Sequence, residues 1–555
     1  MGGRWVIDWW WSRSDTGRGG CNPQRTIEAS NVAGHVFIVR GDIRRLACDA
    51  WLLPCDRRAR PKNDWFLPGY SGPRDGTRFL EGGPRTQLLR GTPPGLPQPW
   101  LTRVGSHHRP VSWYVDGASE FLDAAAGVIA AAADVPLFRR ARPLLALPIV
   151  GTGGGGAAAR TGEVVQELLP RLENFATRPF PGDREFDVAL VCWDAASYAA
   201  AQAERVRRTS WPTDLTDTLR NEAERLARLA LRGELALFLG AGVSMAAGLP
   251  GWDGLLKALA ERAGMSLDEQ RALADLRNAL DQATVVERRL KDHGETLGRA
   301  VATVLGPRRH YALAHAQLAA MPVREVITTN YDQLFEDAWH PADADGLSIL
   351  PGGIRPNARR WLLKMHGCLS DADQIVLTRS SYTRYDERLP ALTGLVQAFL
   401  VTRHVLFVGF SLIDDNFHRI VDAVRRLRTA AGSPARFGSA LTLGHGGLAE
   451  VLWEHDLERI RMDPRQETPG FPVAEAARRL EIFLDYLLSR TRNTAHLLVG
   501  ERFDPLLTPG ERRLRDALGQ FVRAVTGDDA ASVRETVAWP QVERLLSALG
   551  FDPPR

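Results

Sequence analysis

Cysteine is scarce in this chain. Cys21, Cys48, Cys55, Cys192 and Cys368 make an odd set with no C-x-x-C spacing. A disulfide framework and a zinc ribbon are therefore disfavoured, and reduced, mostly buried thiols are expected. Lysine is nearly missing as well: Lys62, Lys257, Lys291 and Lys364 stand among 70 basic residues. Such a bias toward arginine is compositional. With 66 acidic residues mixed in, the net charge is only +4. The pI of ≈ 8.9 thus marks no nucleic-acid face, and direct nucleic-acid binding is not expected. No uncharged apolar run reaches the roughly 18 residues of a membrane span, and Ala124–Val135 is too short and too rich in alanine. The opening MGGRWVIDWWWSR lacks the charged start and apolar core of a secretory signal, so no membrane contact and a cytoplasmic location are expected. Within it, Trp9-Trp10-Trp11 reads as packing. His107-His108, adjacent and without nearby partners, reads as a surface loop rather than a metal site.

What is present is globular. The 555 residues are 44% hydrophobic and 25% charged, enough for two to four domains with sizeable cores. In the first half, His35–Val39, Ala50–Pro54, Leu144–Val150 and Phe186–Trp193 read as strands, and Ser119–Ala133 and Gly162–Ala176 as helices. From Asp56 to about Pro110 the chain is rich in Gly, Pro and Arg and reads as long loops. The second half alternates more cleanly. Glu234–Leu239, Val323–Thr329, Trp361–Met365, His404–Gly409 and Gly438–Leu443 read as strands separated by helical patterns. Phe417, Ile420, Val421, Val424 and Leu427 fall on one helix face. Such alternation predicts an α/β fold with a mostly parallel sheet covered on both faces. The expected organisation is an N-terminal segment 1–30, a domain 31–205, a helical connector 206–232, a domain 233–490 and a helical region 491–555 without a legible motif.

The stretch LALFLGAGVSMAAGLPGW, Leu235–Trp252, carries the first chemical hint. An apolar strand exits into Gly240-Ala241-Gly242 and then Ser244. Glycines allow a tight turn and a close backbone approach, and such turns after parallel strands hold phosphates on N–H groups. The pattern is neither a full G-x-G-x-x-G nor a P-loop, so a bare strand-to-helix turn is an equal reading. Three more strand ends add to it: Thr329-Asn330-Tyr331-Asp332, His366-Gly367, and Gly409-Phe410-Ser411 with Asp414 and Asp415 beyond. In open parallel sheets ligands bind beyond the carboxyl ends of the strands, which points to a nucleotide pocket with one candidate base. Each residue has a plainer role. Asn330 could cap a helix Tyr331–Trp339, His366 could be a core histidine, and Ser411 and Asp414 could cap the helix after them.

Together GAGVS at 240–244, GLPGW at 248–252, TTNYD at 328–332, KMHG at 364–367 and GFSLIDD at 409–415 resemble the sirtuin superfamily, in particular its bacterial branch of anti-phage defence proteins. The resemblance covers about Glu234–Leu488 and implies a Rossmann-like sheet binding NAD. It implies that Gly240, Ala241, Gly242 and Ser244 line the diphosphate and that Asp332 sits near the carboxamide. Asn330 would hold the nicotinamide ribose or the attacking water, His366 would act as general base, and Gly409 and Ser411 would hold the adenosine side. The cysteines of the deacylases' zinc module are missing, and Gly251-Trp252-Asp253 replaces their Asp-Phe-Arg. Both departures favour hydrolysis of NAD to nicotinamide and ADP-ribose, with NAD as substrate and no metal.

Residues 31–205 resemble a macro domain through VRGDIRRLACDAWLLP at 39–54, LALPIVGTGGGG at 145–156 and FDVALVCWDAASY at 186–198. That resemblance implies that Asp42 accepts from an adenine amine and that Thr152, Gly153 and Gly156 wrap a diphosphate; glycine-rich turns of this kind form anion-binding nests. The family's first glycine-rich loop is replaced by LPCDRRARPKNDWF, so binding of an ADP-ribose-derived nucleotide is expected rather than catalysis, with a plain scaffold as the other reading. The whole then reads as a regulated NAD hydrolase acting as a homo-oligomer. The alternatives are an NAD-dependent deacylase or ADP-ribosyltransferase, whose peptide cleft Pro341–Arg359 and Thr378–Pro390 could border, and a non-catalytic nucleotide sensor.

Overall fold

A computed structural model describes residues 33–548, apart from 69, 71, 105–108, 133–135, 209–210, 214, 307–309, 340–345, 357, 433–435, 445–446, 464–472, 499, 527–531 and 533. The N-terminal segment with its three tryptophans, Cys21 and His107-His108 lie outside the described residues. The chain forms two compact units, one built from 32–213 with 488–555 and one from 214–487. The helix Asp217–Leu231, expected as a connector, belongs to the second unit. The C-terminal region, expected as separate, belongs to the first.

The first unit is a six-stranded sheet of β1 (Val36–Arg40), β2 (Ala50–Cys55), β3 (Thr86–Leu88), β4 (Gln98–Arg103), β5 (Leu144–Pro148) and β6 (Asp187–Cys192), in the order β1-β6-β5-β2-β4-β3. Only β3 runs antiparallel. Two of these strands lie inside the stretch read as loops. β3 is three half-buried residues and β4 carries Pro99, so neither shows an alternating pattern. The helices Val111–Ala132 and Thr161–Ala176 cover the sheet through Tyr114, Phe121, Leu168 and Leu172. C-terminal Leu497, Phe503 and Leu506 pack on Ala199 and Ala200 of the helix Ala195–Arg208. Cys48, Cys55 and Cys192 are free and buried.

The second unit is a seven-stranded, wholly parallel sheet: β7 (Leu235–Leu239), β8 (Glu325–Thr328), β9 (Leu347–Leu350), β10 (Arg360–Lys364), β11 (His404–Val408), β12 (Gly438–Thr442) and β13 (Leu457–Arg461), in the order β13-β12-β11-β7-β8-β10-β9. Its central strands, LALFL and HVLFV, are nearly continuous apolar runs, as strands buried on both faces require. The edges β9 and β13 escaped the sequence reading because LSIL is short and LERIR half charged. β9 lies in the Pro341–Arg359 stretch, and Thr378–Pro390 holds two short helices, Arg379–Thr383 and Tyr385–Arg388, rather than open loop. The order turns around at β7, whose neighbours are β11 and β8. A parallel sheet opens its crevice at such a point. Among the described residues no helix is long and apolar enough to cross a membrane.

Candidate active site

The strand register sets the site. Lys364 pairs with Thr328, Thr328 with Leu239, and Leu239 with Val408, so four strands end on one rung. Gly240 and Gly409 follow that rung directly. Asn330 and His366 each lie two residues beyond it, on the adjacent strands β8 and β10. The expected convergence of strand ends is thus present.

The glycines serve a purpose the sequence did not show. A Cβ on Gly240 would stand 2.4 Å from the Gly409 carbonyl oxygen, and one on Gly242 would stand 2.8 Å from Gly409 Cα. Gly242 N–H donates to the Gly409 carbonyl at 2.9 Å, and Gly409 itself has φ +65. The two turns flanking the crevice therefore touch backbone to backbone. Phe410 clamps this contact from within, 4.5 Å from Phe238 and 5.2 Å from Phe417 between ring centroids. Ala241 and Ser411 are exposed and Gly242 half-buried, which leaves these residues at the mouth.

Behind the turns lies a buried polar network. The Ser244 hydroxyl donates to Asp332 Oδ2 at 2.8 Å, and Leu334 N–H donates to Asp332 Oδ1 at 3.0 Å. Asn330 Nδ2 donates to the Gly240 carbonyl and to Ser244 Oγ, each at 3.1 Å. Thr328 Oγ1 holds the Asn330 backbone N–H at 3.0 Å. Asn330 is no helix cap; the following helix is only Leu334–Ala338. Ser244, 2% exposed, gives its one proton to Asp332 and has no donor to spare for a diphosphate. This departs from the expected phosphate role and has a plain cause: the turn places the side chain inward. Sequence reasoning missed His315, whose Nε2 is 3.2 Å from Ser244 Oγ. It stands alone in the apolar helix Leu313–Ala320, 71 residues from its partner, and carries no local signal.

His366 is 2% exposed, and its ring lies tilted against Tyr382 with the centroids 5.3 Å apart. Its Nε2 is 3.5 Å from Asp414 Oδ2, beyond a good hydrogen bond. Asp414 accepts from the Tyr382 hydroxyl at 2.7 Å and caps the helix Asp415–Ala430 through Phe417 N–H at 2.9 Å. The capping role considered for it is therefore real, and the same carboxylate also faces the histidine. Burial lowers the His366 pKa, while Asp414 partly offsets it, so the ring is neutral near pH 7. Beneath, Lys364 Nζ donates to Glu336 Oε1 at 2.7 Å and to the Asp332 carbonyl, tying the β10 end to the loop after β8. Burial alone would lower the Lys364 pKa, but Glu336, Cys368 and Asp332 together outweigh it and keep the ammonium charged.

Two buried atoms at these strand ends make no hydrogen bond within the protein: Asn330 Oδ1 and His366 Nε2. A third unpaired group, the Asn416 amide, lies two residues past Asp414 at 2% exposure and was not singled out from sequence. Buried polar atoms in folded proteins are nearly always paired, so such atoms are candidates for ligand contact. Among the described residues no three metal-binding side chains gather.

In the first unit the expected residues are engaged internally. Asp42 Oδ1 accepts from Arg44 N–H at 3.0 Å and Nε at 2.8 Å, and Oδ2 from Nε at 3.0 Å and Nη2 at 2.6 Å. A carboxylate offers about four lone-pair sites, so Asp42 has none left for an adenine amine unless Arg44 moves away. The Thr152 hydroxyl donates to the Ile149 carbonyl at 2.7 Å, and Tyr114 OH to the Gly155 carbonyl at 2.8 Å. Gly153 is open to solvent. Gly154 and Gly156 have φ +114 and +96, and a Cβ on Gly154 would stand 3.0 Å from Lys62 Nζ.

Residues 324–441 match the SIR2-like domain family. The chain is 29% identical over 210 residues to an NAD(+) hydrolase ThsA of Enterococcus faecium, which is 36% of this chain and 42% of that protein. It is 28% identical over 207 residues to the ThsA NAD(+) hydrolase of Acinetobacter baumannii, with 36% and 41% covered. With defense-associated sirtuin 2 of Bacillus subtilis it shares 27% over 208 residues, 35% of this chain and 20% of that protein. The chain thus spans about two fifths of the ThsA proteins' length. The sirtuin-like reading of the motifs is borne out: the second unit carries a SIR2-like domain, and the family match falls within it.

Proposed function

We propose that the second unit hydrolyses the N-glycosidic bond of NAD, releasing nicotinamide and ADP-ribose, in the manner named for the ThsA relatives. The observation that carries the reading is the pair of buried atoms without a hydrogen bond, Asn330 Oδ1 and His366 Nε2, each two residues beyond the carboxyl end of one of the neighbouring strands β8 and β10. Nicotinamide leaves as a neutral ring from a cationic nucleotide, so no acid is needed. The site must hold a ribose, position a water and accept one proton. Asn330 Oδ1, an acceptor, orients a hydrogen of the water or of a ribose hydroxyl. His366 is neutral and can take the proton; the resulting imidazolium faces Asp414. The Gly240 and Gly242 N–H groups are taken by the Val408 and Gly409 carbonyls, so the exposed Ala241 between them is the turn residue whose backbone suits the diphosphate.

The name of the Bacillus subtilis relative supports a role in defence, with depletion of NAD as the effect and a controlled, assembled state as the means of restraint. For the first unit the reading is a macro-like binder of an ADP-ribose-type nucleotide. Its support is the turn Gly151–Gly156 at the end of β5 with Lys62 above Gly154. The Asp42–Arg44 pair limits that reading to diphosphate recognition while Arg44 stays in place.

The test is incubation of the purified chain with NAD, alone and with ADP-ribose-type nucleotides, with both products followed by chromatography. Wild type should release nicotinamide and ADP-ribose in equal amounts, and Asn330→Ala and His366→Ala should not. Nicotinamide without matching ADP-ribose would mean transfer or cyclisation instead. Bound NAD with no turnover under any condition would leave a sensor.

A further inference from the structure

We propose that His315 is a positioning residue for Asn330, acting through Ser244 by holding in place the serine oxygen that, with the Gly240 carbonyl, seats the Asn330 amide. The inference rests on the hydrolase reading and deepens it. It follows from the polarity of each hydrogen bond in the network. The Gly240 carbonyl can only accept, so the Asn330 atom beside it must be the amide nitrogen. Nδ2 then also donates to Ser244 Oγ, which can accept because its own proton lies toward Asp332 Oδ2. Oδ1 is left as the free, buried end.

His315 sets the direction of the Ser244 proton. It occupies the third position of the helix Leu313–Ala320, and its Nδ1 reaches back to accept from Ala312 N–H at 3.2 Å. With Nδ1 accepting, the single proton of the neutral ring sits on Nε2 and donates to Ser244 Oγ at 3.2 Å. Two donors, His315 and Asn330, thus fill the lone pairs of Ser244 and drive its proton to Asp332. The opposite tautomer would set Nδ1–H against Ala312 N–H and would make Nε2 compete with Asp332 for the serine proton. Asn330 Nδ2 would keep the Gly240 carbonyl, but Ser244 Oγ, drawn between His315 and Asp332, would no longer be held in place as its second acceptor. Burial, at 1% exposure, holds the ring neutral, its pKa lowered to about 4 against a small opposing pull from Asp332.

The experiment compares wild type, His315→Ala, His315→Gln, Ser244→Ala and the double variant His315→Ala/Ser244→Ala for kcat and KM with NAD. His315→Ala should lower kcat by about 10²-fold, as expected for a misplaced positioning group, with KM little changed. His315→Gln has an acceptor and a donor at similar reach and should recover much of the loss. The double variant should be no worse than Ser244→Ala, because His315 acts through the serine. Additive losses, or a change confined to KM, overturn the proposal.

Imidazole nitrogen spectra decide the same point without turnover. The His315 signal, identified by its loss in His315→Gln, should show the proton on Nε2 and no titration between about pH 5.5 and 8. A proton on Nδ1, or titration near the usual histidine value, overturns the inference. A wild type that releases no nicotinamide sinks the hydrolase reading, and the spectra still decide this one.

Discussion

The two units present similar edges and use them differently. Each has a parallel sheet core whose strands end in glycine-rich turns beside an aspartate. In the first unit the polar groups there consume one another: Arg44 saturates Asp42, Thr152 bonds back to Ile149, and Tyr114 bonds to Gly155. In the second, Ser244, Asp332 and His315 also consume one another, but they do so in a way that leaves Asn330 Oδ1 unpaired, while His366 Nε2 keeps no hydrogen bond at all. A buried polar atom without a partner costs about 1–3 kcal/mol. At the expected residues the second unit bears that cost twice and the first not at all. The difference separates a site poised for chemistry from one suited at most to holding an anion.

The sharpest way to break this comparison is to remove the unpaired groups. Asn330→Ala or His366→Ala should lower NAD turnover by about 10²- to 10⁴-fold, the range for positioned acid–base groups. Asp42→Asn in the first unit should leave turnover of NAD at the second site unchanged. Equal losses from both kinds of substitution would erase the distinction.

Stability should divide along the same line. Lys364→Met leaves Glu336 buried without its cation and should cost about 3–5 kcal/mol in chemical unfolding. The glycine turns give a smaller contrast. Gly409→Ala forces a Cβ to 2.5 Å from Val243 N at φ +65 and should cost about 1–3 kcal/mol. Gly153→Ala meets nothing within 4 Å and should change stability by no more than about 0.5 kcal/mol.

The smallest effect is on pH dependence. His315 has a folded pKa of about 4, below its unfolded value near 6.5. Its contribution is fully present above about pH 6.5 and is lost as pH falls toward 4, since the unfolded chain takes up the proton first. His366 adds in the same direction. In the first unit burial raises Asp49, against hydrogen bonds from Leu137 and Leu144, so its contribution runs the other way and is lost as pH rises through the folded value. Hydrogen exchange of β7 and β8 should therefore weaken with mild acid more than that of β2 and β5. A common slope would show that other groups dominate.

Much of this was legible beforehand. The central strands of the second unit announced themselves as apolar runs such as LALFL, and the site residues as polar residues following them. Edge strands were not legible: LERIR carries two arginines, which an edge held by one neighbour tolerates, and TQL is only three residues long. His315 could not be found, since a single histidine in LAHAQLAA gains meaning only across 71 residues. Asp42 was found but its pairing with Arg44 was not, because a carboxylate's use depends on whether a neighbouring guanidinium turns toward it.

By itself, then, the sequence determined the α/β alternation, the parallel sheet of the second unit and the identity of the residues at its strand ends. Apolar run length and the glycine, asparagine and histidine that follow are local properties of the chain. Only the tertiary structure decided which of those residues face inward to brace the site and which keep an unpaired atom. Hydrogen-bond polarity depends on partners that sequence separation hides and strand register brings together.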